Sequence, residues 1–410
     1  DGDPVPTALA RGYLAWDPAG ARAPAGESDL GVLLASVADL VAGVGDAGCG
    51  YEMPLEAMTR FLVDPAPYET IVVSDGAASP TGVDAVLPEQ RGHFLRPNSL
   101  VSVVLLSDED DCSLDPSRYA HVALGAQALP RPTSVCATDP TDPCCTSCAM
   151  ETPAGCAPDP VCSQAPPTLT QDHPNLRCFD QKRRYGFDFS FPIARYHTAL
   201  TSPMIDPARP DLAPVAGSVA NPLFAAGRPA AFVSLTAIVG VPNQDLLEDP
   251  NDLGSRPLTT PELEAAGRFA WMLGTPPQDP FMRQSIGARS GVHPGTGADV
   301  AASNPINGGD RPAAGDLQYA CLFDLAQPSL GLCPGDEVDP ACSGADLVKG
   351  RVYPGPRHLE LVRLLGDRGI AGSICPTQAV SGVARASAER SFAYNRALFQ
   401  LRDRMSRFLR

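Results

Sequence analysis

Hydrophobic residues recur at helical spacing in two stretches of the first 62 residues. Between residues 30 and 41 they repeat every three or four positions, behind Ser28 or Asp29, either of which is a favoured helix N-cap. Glycines at residues 43–48 end this helix. A second helix is predicted at residues 54–62, because proline at position 54 suits a first helical turn.

Two segments further along, residues 100–106 and 230–239, are nearly continuous in apolar residues and rich in β-branched side chains. This pattern is typical of strands in a parallel sheet that helices cover on both faces. A shorter strand is predicted at residues 369–375. Further helices are predicted at residues 185–201, 260–273, 358–365 and 387–409. The alternation of strands and helices predicts an α/β fold with a parallel sheet.

Long loops separate these elements, since Pro (44) and Gly (37) together make up about a fifth of the 410 residues. We therefore predict a single α/β domain interrupted by two insertions. Its segments are a first part at 1–111, a cysteine-rich insertion at 112–180, a continuation at 181–240, a loop-rich insertion at 241–355, and a C-terminal strand and helix at 356–410.

Thirteen cysteines indicate the compartment in which the protein works, and nine of them lie between Cys49 and Cys178. Crowded thiols among Pro, Asp and Thr favour disulfides, which form outside the reducing cytosol. Zinc is the alternative, because Cys145 and Cys148 form a C-x-x-C pair, but no second pair or suitably spaced His accompanies it. We expect disulfides at Cys112, Cys136, Cys144, Cys145, Cys148, Cys156, Cys162, Cys178, Cys321, Cys333 and Cys342.

Charge and hydropathy exclude several classes of partner. The formal net charge of −16 repels nucleic acid and anionic membranes. No apolar run is long enough to span a bilayer, so no transmembrane segment is predicted. The odd cysteine count and a first residue other than Met lead us to expect a segment upstream of Asp1, either cleaved but retained or a separate chain. It would supply strands beside 100–106, a cysteine partner and a lipid anchor or export signal.

The strand at 100–106 is followed by four consecutive carboxylates, Asp108–Asp111. Ligands of open α/β sheets bind beyond the carboxyl ends of the strands. Four like charges repel one another unless they splay into solvent or share a hard cation such as Ca²⁺ or Mg²⁺. A solvated acidic turn and a cation site are both open interpretations.

The segment VVLLSDEDDCS resembles the fourth strand of von Willebrand A domains. The segments GCGYEMPLEAMTRFL, CATDPTDPCCTSC and DPFMRQSIGARSGVHPGTG are similar to exported proteins and lipoproteins of myxobacteria. The resemblance implies a Rossmann-like parallel sheet of the von Willebrand A type, with helices on both faces. It also implies a metal-ion-dependent adhesion site in which Asp108 is a ligand.

This chain departs from the von Willebrand A pattern in two places. The motif Asp-x-Ser-x-Ser is absent from residues 1–100, so we expect the first strand region to be missing or separately supplied. No Thr stands near residues 50–52, where the second motif is expected, so either Glu52 substitutes as an oxygen ligand or the site is degenerate. The resemblance thus implies Ca²⁺ or Mg²⁺ held by Asp108, Asp110 and Glu52.

We expect a non-enzymatic function from this resemblance: extracellular or cell-surface protein–protein interaction or adhesion, dependent on a divalent cation, as a subunit of a surface assembly. A metal-free structural subunit and a secreted metal-dependent hydrolase are the alternatives. The sequence contains no nucleophile elbow, P-loop or H-E-x-x-H motif, which disfavours the hydrolase.

Overall fold

The computed structural model describes residues 5, 7–8, 12–22, 25–45, 50–74, 77–116, 129–312, 315–333, 338–377 and 391–408. The α-helices are α1 (Leu30–Val44), α2 (Pro54–Leu62), α3 (Val86–Phe94), α4 (Gln181–Tyr185), α5 (Ile193–Thr201), α6 (Asn243–Leu246), α7 (Thr260–Ala265), α8 (Arg268–Leu273), α9 (Pro356–Leu365) and α10 (Asn395–Met405). The strands are β1 (Thr70–Ser74), β2 (Ala77–Thr81), β3 (Val101–Leu106), β4 (Met204–Ile205), β5 (Val219–Ala220), β6 (Val233–Val239), β7 (Cys321–Ser329), β8 (Cys342–Ser343), β9 (Asp346–Val352) and β10 (Gly369–Ser373).

A parallel sheet of three strands, in the order β10–β6–β3, forms the centre of the fold. All seven residues of β6 are buried, as its continuous apolar sequence predicts. One face packs in the main hydrophobic core with residues of α2, α5, α7, α8 and α9. On the other face, Ile238 and Ile370 pack against Ala397 of α10. The predicted α/β class with a parallel sheet is therefore confirmed at this level.

The strand predicted at residues 100–106 forms as β3, and the neighbour expected on its second side stays a prediction. Among the described strands β3 pairs with β6 alone, so it lies at an edge of the sheet and not at its centre. Val101 and Leu105 point into the main core, whereas Val104 is 46% exposed and Leu106 58% exposed on the other face. The apolar sequence indicated burial on both faces, but the described residues cover only one face of β3.

Several predicted helices form where the sequence places them, but their length or burial differs from the prediction. Helix α1 begins after Asp29, whose carboxylate accepts the N–H groups of Gly31 and Val32, yet none of its residues is buried. The helix predicted at 260–273 is two helices, because Gly267 between them adopts a left-handed φ of 69°. Part of the helix predicted at 387–409 lies outside the described residues.

Twelve of the thirteen cysteines form six disulfides. The pairs are Cys112–Cys178, Cys136–Cys145, Cys144–Cys156, Cys148–Cys162, Cys321–Cys375 and Cys333–Cys342. All eleven predicted cysteines are paired, and Cys375 joins them. The C-x-x-C cysteines belong to two different disulfides, which excludes the zinc alternative there. Cys49 lies outside the described residues.

Disulfides in this number are typical of an extracellular protein. In the part of the chain that is described, no helix has both the length and the apolar character needed to cross a membrane.

Candidate binding site at the carboxyl end of the sheet

The acidic turn after β3 contains one carboxylate that is committed to the fold. Asp111 is buried, and its Oδ1 accepts hydrogen bonds from the Leu55 N–H (3.1 Å) and the Ser113 hydroxyl (2.6 Å). Its Oδ2 accepts two more from the Arg357 guanidinium, both at 3.1 Å. Asp111 therefore joins the start of α2 to the start of α9, and these bonds occupy both of its oxygens.

Asp110 lies between this buried network and the surface, with its side chain 16% exposed. The backbone N–H of Arg357, in the first turn of α9, donates to Oδ1 (3.0 Å), and the Gln284 amide donates to Oδ2 (3.2 Å). A carboxylate is stabilised there by the unpaired N–H groups of a helix N-terminus. The Nδ1 atom of the fully buried His358 lies 3.6 Å from Oδ1.

A pocket of about 200 Å³ opens beside this turn. Four of its lining residues are carboxylates: Glu52, Glu109, Asp110 and Asp316. Tyr353 also lines the pocket and connects two of its sides. Its N–H donates to the Asp108 carbonyl (2.8 Å), and its hydroxyl donates to Asp316 (2.6 Å). We call this the acidic pocket.

Carboxylates in the acidic pocket repel one another. Partial desolvation, followed by repulsion from Asp108, Glu52 and Asp316, raises the pKa of Glu109 to about 7. By surface area Glu109 is still exposed, so solvent screens part of this repulsion. The pocket therefore favours a ligand that brings positive charge, either a metal cation or a cationic side chain.

The predicted metal ligands only partly converge. Glu52 and Asp110 line the acidic pocket, while the exposed Asp108 lies outside its lining. Among the described residues, their ligand atoms do not form a group of three within 4.8 Å of one another. The sequence placed Glu109 in the acidic turn without naming it a ligand, and it missed Asp316. Asp316 lies in a loop without periodicity, far along the chain, so no local pattern indicated that it would reach this turn.

One group among the described residues does bring three ligand atoms within 4.8 Å: Asp245, Asp279 and His293. All three side chains are fully buried. His293 Nε2 lies 3.1 Å from Asp245 Oδ1 and 3.9 Å from Asp279 Oδ2. The group follows the central strand β6 and holds the loop of residues 279–300 against α6.

Hydrogen bonding around His293 argues against a metal ion in this buried group. Its Nδ1 accepts the N–H groups of Gly295 and Thr296, each at 3.1 Å, so the neutral ring carries its proton on Nε2. A metal ligand needs a lone pair on the nitrogen that faces the ion, with the proton on the other nitrogen. Burial also raises the pKa of Asp245 to about 7 and that of Asp279 well above its usual range, and it lowers the pKa of His293. The tautomer of His293 and the burial that favours neutral side chains fit a structural cluster without a metal ion.

Two larger depressions adjoin the acidic pocket, of about 800 Å³ and about 540 Å³. The larger shares Phe179 and Gln284 with the acidic pocket, and the two depressions share Asp180 and Arg357 with each other. Together they form a continuous irregular surface around the start of α9. Its extent suits a segment of a protein partner better than a small ion alone.

No protein-family model, curated protein or solved structure matches this chain. The fold and the site thus define a mixed α/β protein with disulfides and an acidic pocket at the end of its parallel sheet. The von Willebrand A resemblance stays a prediction.

Proposed function

We propose that the protein is an extracellular or cell-surface interaction module that binds a protein partner at the acidic pocket. The observation that carries the proposal is the convergence of four carboxylates at the carboxyl end of the parallel sheet. This is where open α/β sheets bind their ligands. The adjoining depressions give the partner room to make further contacts, and the disulfides suit work outside the cell.

In this proposal a Ca²⁺ or Mg²⁺ ion joins the module to its partner. Glu52, Glu109 and Asp110 would supply oxygen ligands, with Asp108 contributing from the rim. Ca²⁺ takes six to eight oxygens at flexible angles, so a carboxylate of the partner can complete its coordination. A bound cation would offset the repulsion between these carboxylates.

A metal-free structural subunit is the second candidate, and the hydrogen bonding of Asp110 favours it. Both oxygens of this carboxylate already accept protein donors, from Arg357 and Gln284. In that case the acidic pocket would receive a lysine or arginine of the partner in place of a metal ion.

Thermal unfolding with and without a chelator separates the two candidates. A cation bound only by the folded state stabilises it, by about 2.7 kcal/mol at a hundredfold excess over Kd, so chelation should lower the Tm. Asp110→Asn and Asp108→Ala should remove this response, while Asp324→Asn, at a 79% exposed side chain on β7, should keep it. Identical melting curves with chelator, Ca²⁺ and Mg²⁺ would contradict the cation and support the metal-free subunit.

A further inference from the structure

The outer edge of β3 carries backbone groups that no described strand pairs. In the ladder with β6, the N–H of Ser107 donates to the Ile238 carbonyl (3.2 Å), and Leu106 lies opposite Ile238. The odd-numbered residues of β3 therefore direct their N–H and C=O groups toward β6. Residues 102, 104 and 106 direct theirs to the opposite side. Such a row of unpaired groups is a template for another strand.

Apolar side chains of β3 lie on both faces of the sheet along this edge, with Ser102 as the polar exception. Val104 and Leu106 are 46% and 58% exposed, whereas Thr236 and Ile238, their partners on β6, are 0% and 2% exposed. On this face, the described residues that pack over β6 therefore do not extend over β3. On the other face, Val101 and Leu105 border the main core. A strand added here would place its side chains beside apolar side chains of β3 on both faces.

Helix α1 is a second apolar surface that the described residues leave uncovered. None of its fifteen residues is buried, and Leu34, Val41 and Val44 are 58%, 70% and 80% exposed. Burying one such side chain fully stabilises a protein by about 1.5–3 kcal/mol. Helix α1 and β3 both belong to the first 106 residues, so this part of the chain has more apolar surface than the described residues cover.

We propose that the free edge of β3 binds an extended apolar segment of a partner, which joins the sheet as a fourth strand. Main-chain hydrogen bonds to residues 102, 104 and 106 would hold it. Its side chains would be apolar on the face of Val101 and Leu105, and apolar or small and polar on the other, as in β6. Where it passes Asp108 and Glu109 it would be basic or uncharged, because these carboxylates repel a further negative charge.

Charge disfavours a second copy of this chain as the occupant. Two copies would pair β3 with β3, and each brings a formal net charge of −16. The proposal does not depend on the cation at the acidic pocket. Its test is therefore run with a chelator present, so that failure here is distinct from failure of the proposed function.

Hydrogen exchange of the oxidised 410-residue monomer, with and without a peptide probe, tests the strand addition. The probe carries the β6 sequence Val-Ser-Leu-Thr-Ala-Ile-Val between pairs of lysines, and the same peptide with a central proline is its control. In the free chain the amides of residues 102, 104 and 106 should exchange rapidly. The probe should slow their exchange at least about tenfold, while the control peptide should not.

Val104→Pro tests the edge directly, since it removes an outward N–H that β6 does not use. Proline is tolerated at such edge positions, so the variant should fold. Peptide affinity, measured by fluorescence anisotropy, should fall at least about tenfold, whereas Val338→Pro, at an 81% exposed loop position, should leave it unchanged. Circular dichroism checks that both variants are folded.

Four results would overturn the proposal. Slow exchange of these amides in the free monomer would mean that the same chain already covers the edge. Protection that appears only in a dimer, seen by sedimentation, would make a second copy the occupant. Absence of protection by the probe, or wild-type affinity in folded Val104→Pro, would show that the edge binds no strand.

Discussion

Buried ionisable side chains hold the loops at the carboxyl end of the sheet. Asp111 accepts hydrogen bonds from the guanidinium of Arg357, in the first turn of α9. Arg289 forms an ion pair with Asp310 at 2.7 Å, and both side chains are almost fully buried. Removing one member of such a pair leaves an uncompensated charge, which costs about 3–5 kcal/mol. The cluster around His293 differs, because burial raises the pKa of both carboxyl groups and lowers that of the ring, which favours neutral side chains over full opposite charges.

Stability should depend on pH through Asp245. Its pKa is raised from 3.8 to about 7, so the folded protein holds this proton more tightly than the unfolded chain does. The contribution to the free energy of unfolding is therefore largest below about pH 4 and declines by up to a few kcal/mol as the pH rises to about 7. Asp245→Asn, which stays neutral, should lose this decline and be more stable than the wild type at pH 8.

Thermal unfolding of both proteins at pH 5 and pH 8 checks this expectation. Asp249→Asn, an exposed position in the next loop, is the control and should follow the wild type at both pH values. The difference in Tm between the wild type and Asp245→Asn should change between pH 5 and pH 8. An unchanged difference would show that Asp245 does not retain its proton.

At the scale of secondary-structure elements, patterns within one segment were predictable and pairings between segments were not. The apolar run at β6 and the N-cap at Asp29 each depend on a few neighbouring residues, and both were found from the sequence. The edge position of β3 depends on which strands lie beside it. Strands β7 and β9 were missed because β7 contains a proline and neither alternates cleanly between apolar and polar residues.

In the candidate site too, features within one segment were predictable from the sequence and contacts between distant segments were not. The position of the acidic turn after a buried strand was predictable, since ligands of parallel sheets bind there. Glu52 was selected from the resemblance and does line the pocket. Asp316 and the anchoring of Asp110 by Gln284 and Arg357 arise from distant loops, and no spacing in the sequence encodes them.

The disulfide Cys321–Cys375 should matter more to stability than Cys333–Cys342. The first joins β7 to the end of β10 across 54 residues, and the second closes only 9. Loop-closure entropy predicts a loss of about 4 kcal/mol when the first is replaced by two alanines and about 3 kcal/mol for the second. Guanidinium unfolding of the two double variants measures this difference, and a larger loss for Cys333–Cys342 would contradict it.

At the scale of the whole molecule, disulfides take the place of a large core in the cysteine-rich region. Residues 129–178 contain no α-helix or named strand, and the small cluster beside them buries only five residues: Cys112, Leu114, Leu129, Tyr185 and Phe189. Four of the six disulfides close loops between Cys112 and Cys178. Such a region folds stably only where disulfides persist, which supports our proposal of a location outside the cell.

The oxidised cysteine framework is the central claim, because the location and the interaction function both rest on it. Alkylation of the denatured, unreduced protein, followed by peptide mapping, tests it most directly. We predict no more than one or two alkylated cysteines among the thirteen, with peptides linked as the six pairs described above. Six or more free thiols would contradict the framework and, with it, the extracellular assignment.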